Sequence, residues 1–319
     1  MPVGEAQADL TTYLNANLPH FVGRPEIEKI VVQAAGLFIY AATVVKHLEG
    51  YEPLEQKERL DTLALVSNSA ILQISEEVTP LLDSLYLQVL SDALSHFKGS
   101  SFVHRLYILH TFLCTAERTS TSVVANLLFP SKETNIAFSY TPIADSVLAH
   151  LHAVLYTEND KVLSYHKSFS DFIFDQNRAK EFWCNQGEHH RFLTGSCFCV
   201  MNSGLKFNIA NIPSSFLLDC DNSTLPDGVI QNISPVLSYS CQNWNHHLLG
   251  VTPTDSDVLF GILSKFLQLH VLFWIEAMNL LGLRGLCDPM LRTASKWVIS
   301  VSDISNDCFT NLQLMHPNV

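Results

Sequence analysis

The stretch that decides the fold runs from Leu155 to Tyr165 and reads Leu-Tyr-Thr-Glu-Asn-Asp-Lys-Val-Leu-Ser-Tyr. Two short runs suited to β-strands flank a polar turn that contains Asn159 and Asp160, and this pattern predicts a β-hairpin. In most other parts of the chain, apolar residues recur at three- and four-residue steps, which is the period of α-helices. The sequence therefore predicts a mostly α-helical protein that contains one short β-hairpin.

Three helices are predicted to precede this hairpin. The first covers about Phe102–Ala116. The second follows the cluster Thr119–Ser122, whose hydroxyl groups are good helix N-caps, and the third runs from Pro142 to about Ala153. Three helices followed by a hairpin is the order of a winged helix, so residues 100–180 are predicted to form a winged-helix domain.

Residues 1–99 are predicted to form a helical subdomain. Apolar residues recur at helical spacing across Ile27–Leu48, with Pro25 near the start and Gly50 just after the end. Helices place proline and glycine at these positions. This pattern predicts one helix from Pro25 up to Gly50.

Residues 181–319 are predicted to form an irregular α-helical array, because helical periodicity continues there without a convincing fixed repeat. The apolar stretch Val258–Leu283 predicts a pair of buried helices. It is interrupted by Glu276, and no apolar stretch is long enough to predict a membrane span.

Composition and charge exclude several classes of function. Hydrophobic residues make up 47% and charged residues only 16% of the 319 residues, which is typical of a packed globular protein. The net charge of -12 argues against binding to nucleic acid and to membrane surfaces. The predicted third helix of the winged helix contains no Lys or Arg, so it is a poor DNA reader. Scattered cysteines and the lack of a secretory start predict a cytoplasmic protein with reduced thiols.

The usual catalytic signatures are missing. A phosphate-binding loop needs Gly-Lys before Ser or Thr, and the dipeptide Gly-Lys does not occur. No catalytic residue is predicted. Cys184, Cys197, Cys199 and the pair His189-His190 lack the spacing of a zinc ribbon, and core packing is favoured. The pair His246-His247 is predicted to be a packed or exposed helix end, so no metal ligand is predicted.

Several segments resemble one family. Ala35–Thr43 (Ala-Gly-Leu-Phe-Ile-Tyr-Ala-Ala-Thr) is similar to the end of the ATPase module in fungal NACHT proteins. Tyr165–Ile173 is similar to the His-x-Ser-Phe-x-Asp-Phe motif that closes their winged helix, and Tyr239–Leu248 and Leu272–Leu281 are similar to the region that follows. The chain thus resembles the C-terminal part of the NACHT module of fungal STAND NTPases, without the phosphate-binding loop.

The resemblance implies two contacts with a nucleotide. In that family the histidine of the motif contacts the phosphates of bound ADP, and here that residue is His166. Related switches place a proline against adenine where this chain has Phe38, which alternatively fits the apolar stripe of its helix. His166 alternatively caps or packs the next helix, and Ser168 with Asp171 resembles a capping box at that helix. ADP or ATP is expected only with a complete ATPase module, and no cofactor is expected in this chain alone.

The family pattern also implies the kind of function. The phosphate-binding loop of the family would lie before residue 1, and its sensor repeats would lie after Val319. We therefore expect a non-enzymatic, regulatory part of a nucleotide-dependent signalling switch, whose partners are proteins or further copies of itself. A helical scaffold that binds protein partners without nucleotide is the first alternative. A winged-helix DNA-binding regulator is the second alternative, and the acidic charge argues against it.

Overall fold

The computed structural model describes residues 3–71, 79–129, 140–214, 216, 222–252 and 256–300. The fold is mostly α-helical, and the described strands form one two-stranded sheet. The elements in chain order are α1 (Val3–Asn17), α2 (Pro25–Ala34), α3 (Phe38–Leu48), α4 (Pro53–Ile71), α5 (Thr79–Leu94), α6 (Ser100–Cys114), α7 (Thr121–Leu128), α8 (Thr141–His150), β1 (Leu155–Glu158), β2 (Lys161–Ser164), α9 (Lys167–Ile173), α10 (Gln176–Ala179), α11 (Gln186–Gly204), α12 (Leu225–Asn232), α13 (Pro235–Leu249), α14 (Ser256–Leu269), α15 (Val271–Leu280) and the helical residues 287–300 (α16).

The chain divides into two compact units. The first unit comprises Met1–Leu113 and Pro142–Cys184, and the second comprises Cys114–Thr141 and Asn185–Val319. The boundaries differ from those of the three predicted segments, because residues 114–141 group with the C-terminal part of the chain.

The predicted hairpin is confirmed in the first unit. Strands β1 and β2 are antiparallel, with Leu155 opposite Ser164. The turn residues Asn159 and Asp160 have φ angles of 51° and 61°. Two successive left-handed residues match the twist of the flanking strands, and Asn and Asp tolerate this conformation.

The prediction of one helix between Pro25 and Gly50 is wrong, because the structure has two helices there, α2 and α3. Ala35 and Gly36 have φ angles of 47° and 84°, and the amide of Ala35 donates to the carbonyl oxygen of Val32. A left-handed residue after the last helical turn ends the helix, and glycine makes the next positive φ inexpensive. The break makes Phe38 the first residue of a new helix, with its side chain 50% exposed.

The second unit is organised around α11 and α13, which pack against each other. Its core contains Phe198, Trp244, Phe266 and Trp274, all fully buried, with neighbouring ring centroids 5.1 to 6.2 Å apart. The indole N–H of Trp274 donates to the carbonyl oxygen of Cys241 at 2.9 Å. This hydrogen bond satisfies a buried donor and ties α15 to α13.

Helix α7 also belongs to this second core. It contacts α11 and α13, and its residues Val123 and Leu127 are members of the buried cluster. The three helices and the hairpin occur in the predicted order, but α7 packs with later helices. Helical periodicity identifies the apolar face of α7 but does not identify the helix that this face contacts.

The predicted pair of helices over Val258–Leu283 is observed as α14 and α15. Several of its apolar side chains are exposed, including Val258 at 67% and Leu272 at 74%, so the pair is less buried than predicted. No single helix in the described ranges is long and apolar enough to cross a membrane. The two helices together pass that test of length and composition, but they are bent by 72°.

Candidate functional site

His166 lies where β2 passes into α9, in the first unit, and is the N-cap of that helix. Its backbone is extended, and its Nδ1 accepts a hydrogen bond from the amide of Ser168 at 3.1 Å. The hydroxyl of Ser164 donates to the carbonyl oxygen of His166 at 3.0 Å. Local hydrogen bonds therefore hold an exposed imidazole at a fixed edge of the unit.

These contacts decide which nitrogen of His166 carries the proton. An amide N–H can only donate, so Nδ1 is an acceptor and the neutral ring carries its proton on Nε2. The Ser168 hydroxyl lies 2.7 Å from the same Nδ1 and 2.7 Å from the hydroxyl of Tyr86. Among the hydrogen bonds of the described residues, none involves Nε2 of His166. The ring therefore presents an N–H donor to solvent.

The predicted capping box at α9 is wrong. The N-cap is His166, not Ser168, which lies inside the first turn. Asp171 pairs with Lys167 at 3.0 Å instead of bonding back to the helix start. The interpretation of His166 as a cap is confirmed, because an imidazole Nδ1 can accept from the same amide that Ser, Thr or Asp side chains usually satisfy.

Phe38 lies at the start of α3, and Tyr165, the residue before His166, lies near the end of the same helix. Phe38 is the first residue of α3, and its ring packs on Tyr13 with centroids 4.6 Å apart. Near the end of the helix, Lys46 Nζ lies 5.3 Å from the ring centroid of Tyr165. Eight residues of helix correspond to about 12 Å. The structure therefore does not bring Phe38 into contact with His166, and one ligand that touched both would lie along α3.

The lysines near His166 are paired with carboxylates. Lys46 Nζ lies 3.3 Å from Glu49, and Lys167 pairs with Asp171. Burial alone would lower the pKa of Lys46, but the hydrogen bond to Glu49 and nearby groups raise it above its usual range. Because both cations are partly neutralised, this surface offers a directed N–H donor and little net positive charge. An anionic ligand would need further contacts elsewhere.

The second unit contains a cluster of three histidines that the sequence did not predict. His190 on α11 meets His246 and His247 on α13, and one ring nitrogen from each lies within 4.8 Å of the other two. The Nδ1 atoms of His190 and His247 are 3.0 Å apart. Nε2 of His247 lies 2.9 Å from the hydroxyl of Tyr239. His247 is fully buried, His190 is 9% exposed, and His246 faces solvent.

Burial and mutual repulsion keep these imidazoles neutral. Burial lowers the pKa of His190 to about 4, with a further contribution from His246. Burial, followed by the neighbouring histidines, lowers the pKa of His247 well below its usual range. Burial also lowers the pKa of His246. Neutral imidazole is the form that binds metal ions.

The cysteines of α11 do not form a ligand pair. Cys197 is fully buried, and burial raises the pKa of its thiol to about 12. Cys199 is exposed, because residues two positions apart on a helix lie on different faces. Core packing is therefore confirmed for Cys197 and wrong for Cys199.

One sequence signal could have pointed to the histidine cluster. The adjacent pair His189-His190 lies on α11 with both side chains buried, and the pair His246-His247 lies on α13 with His247 buried. The sequence does not show that these two helices pack against each other, and the cluster depends on that packing. The residue types could be read from the sequence, but the packing of α11 against α13 could not.

Comparisons with known proteins add no identification. No protein-family model matches the chain, and no curated protein and no solved structure shows significant similarity to it.

Proposed function

We propose that this chain is the regulatory helical part of a STAND-type nucleotide-dependent switch, in which His166 donates a hydrogen bond to a phosphate of ADP held by an ATPase module. The observation that supports this role is the fixed tautomer of His166. Its Nδ1 is occupied by the Ser168 amide, so its exposed Nε2–H is directed outward as a donor. A donor to an ionised phosphate forms a stronger hydrogen bond than a neutral pair does.

The contribution of the chain would be binding energy and not chemistry. The surface near His166 has little net positive charge, because Lys46 and Lys167 are paired. The chain would therefore bind ADP weakly by itself and would add one contact to a nucleotide already held elsewhere. Such a contact stabilises the one domain arrangement in which it forms, which is the physical basis of a two-state switch.

Phe38 is a weaker part of the same proposal. Its ring is half exposed at the other end of α3, where an adenine could stack on it. A nucleotide that contacted both residues would lie along α3, with its phosphates near His166.

The experiment measures the release of ADP from a separately expressed ATPase module of a fungal NACHT protein that lacks its own winged helix. The module is loaded with a fluorescent ADP analogue and mixed with this chain. We expect the chain to slow ADP release. With His166→Ala in place of the wild-type chain, ADP release should be about tenfold faster, which corresponds to the loss of roughly one hydrogen bond to a charged group.

A matched control is His150→Ala. His150 is also exposed in the first unit, but its Nδ1 lies 2.6 Å from the carbonyl oxygen of Ser146 and so carries the proton. It presents an acceptor, where His166 presents a donor, and its loss should leave ADP release unchanged. If the chain binds the module and ADP release is the same with and without His166, the proposed role of His166 is wrong.

The alternative function is a scaffold for protein partners that needs no nucleotide. It is favoured by an apolar groove of about 390 Å³ in the second unit, lined by Leu128, Phe192, Val258, Leu259 and Ile262, with Arg191 and Cys199 also in its lining. Exposed apolar surfaces of this kind often bind proteins. In the same experiment, binding without any effect on ADP release would favour the scaffold over the switch.

A further inference from the structure

We infer that His190, His246 and His247 form a binding site for one divalent transition-metal ion of the zinc class. The three ring nitrogens lie within 4.8 Å of one another on two packed helices. A tetrahedral zinc site has Zn–N distances of about 2.0–2.1 Å, which places its ligand nitrogens about 3.3 Å apart. The 3.0 Å between Nδ1 of His190 and Nδ1 of His247 is close to that spacing. A small rotation of the exposed His246 ring would bring its ring nitrogen to the same spacing from the other two.

The surroundings of His247 are those of a metal ligand. Its other nitrogen, Nε2, lies 2.9 Å from the hydroxyl of Tyr239, and that hydroxyl accepts from the amide of Ala116 at 3.1 Å. Histidine ligands commonly use their second nitrogen in this way, because the hydrogen bond sets the tautomer and the ring orientation. With a metal on Nδ1, the proton resides on Nε2 and is donated to the Tyr239 oxygen.

The backbone makes room for the cluster at Gly250. A Cβ atom at this position would lie 2.5 Å from Cδ2 of His190, so any side chain here would displace the ring. Gly250 follows α13 directly, and its amide bonds to the carbonyl oxygens of His246 and His247. The imidazole of His190 is therefore seated against the end of the helix that carries the other two ligands.

The chemistry of the donors selects the metal. The group contains three imidazoles and no carboxylate, which suits zinc, nickel or copper and does not suit calcium or magnesium. Three protein ligands leave a fourth tetrahedral position for water or another ligand. The exposed side of His246 is the side from which an ion would enter. Bound metal would join α11 to α13, the two central helices of the second unit.

The experiment uses the whole chain, stripped of metal with a chelator, and titrates it with Co²⁺ and then Zn²⁺. We expect one Co²⁺ per chain, an absorption spectrum of tetrahedral cobalt, displacement by Zn²⁺, and no binding of Mg²⁺. X-ray absorption of the zinc complex should show three imidazole ligands. His246→Ala should weaken Co²⁺ binding at least about tenfold.

The control is His150→Ala, which removes an exposed histidine of the first unit and should leave the affinity unchanged. His246 is exposed, so its substitution should leave the fold intact, which far-ultraviolet circular dichroism checks. Tyr239→Phe provides a second test, because it keeps all three ligands and should weaken binding by releasing His247. Equal Co²⁺ affinity in the wild type and in His246→Ala, or no stoichiometric binding, would show that the three histidines are only packed and hydrogen-bonded.

Discussion

The hydroxyl of Tyr86 lies 2.7 Å from the hydroxyl of Ser168, although 82 positions separate the two residues. The Tyr86 ring is buried against Phe169 and Phe172, with centroid distances of 5.2 and 5.4 Å. Burial raises the pKa of Tyr86, so its phenol stays protonated and can donate to Ser168. Ser168 can then donate to Nδ1 of His166, and the orientation of an exposed histidine depends on a buried residue of α5.

Tyr86→Phe should therefore affect both stability and His166. Loss of a partly buried hydrogen bond should lower the free energy of unfolding by about 1 kcal/mol in urea titrations. The ¹⁵N shift of His166 Nδ1 should change, because the Ser168 hydroxyl near that nitrogen loses its partner, while the Ser168 amide keeps the ring in its Nε2–H form. Tyr156→Phe is the control, because no hydrogen bond of its hydroxyl is found in the described part of the chain. An unchanged ¹⁵N shift of His166 Nδ1 in Tyr86→Phe would contradict the coupling.

The pair formed by Arg178 and Asp83 should stabilise the first unit. Arg178 donates two hydrogen bonds to the carboxylate, at 2.7 and 2.9 Å, and these raise its pKa. Arg178→Lys keeps the charge but loses the bidentate geometry. We expect it to lower the free energy of unfolding, measured by urea titration, by about 1 kcal/mol. Arg292→Lys, at an exposed pair with Asp288, should show no measurable change. Equal effects of the two substitutions would contradict this account.

Asp92 should make the first unit sensitive to acid. Burial alone would raise its pKa, but His47 at 3.2 Å and Arg59 at 2.8 Å outweigh burial and hold the pKa below its usual range. A carboxylate with a lowered pKa in the folded state stabilises the fold above about pH 4, and this contribution is lost as pH falls further. Asp92→Asn should lower stability at pH 7 and flatten the loss between about pH 4 and 2. Urea unfolding measures both proteins across this pH range. If the free energy of unfolding changes with pH equally in the wild type and in Asp92→Asn, the role given to Asp92 is wrong.

Two helical glycines of the second unit should respond to alanine in opposite ways. A Cβ at Gly195, in α11, meets no atom within 4 Å, so Gly195→Ala should stabilise the fold by about 1 kcal/mol through helix propensity. A Cβ at Gly228, in α12, would press on the carbonyl oxygen of Ala210. Gly228→Ala should therefore destabilise by about 1–3 kcal/mol. Thermal unfolding checks both, and a stabilising Gly228→Ala would contradict the close approach of these two backbones.

Local features of the structure could be predicted from the sequence. The hairpin followed from Asn159 and Asp160 between two strand-like runs, and the turn has the positive φ angles that these residues tolerate. The cap of α9 was predicted less well. Ser168 and Asp171 fit the pattern of a capping box, yet His166 satisfies the same amide from two residues earlier. The usual capping residues do not include histidine, so His166 was only an alternative prediction for the cap.

The sequence by itself determined the mostly helical class, the hairpin and the order of the three helices before it, because the period of apolar residues and the residues of a tight turn act over a few positions. Only the tertiary structure decided that α7 packs with α11 and α13, and that His190 meets His247 across 57 positions. These outcomes depend on which apolar faces bury each other, and many pairings bury similar area. The free energy that selects one pairing is spread over the whole core, so no local pattern records it.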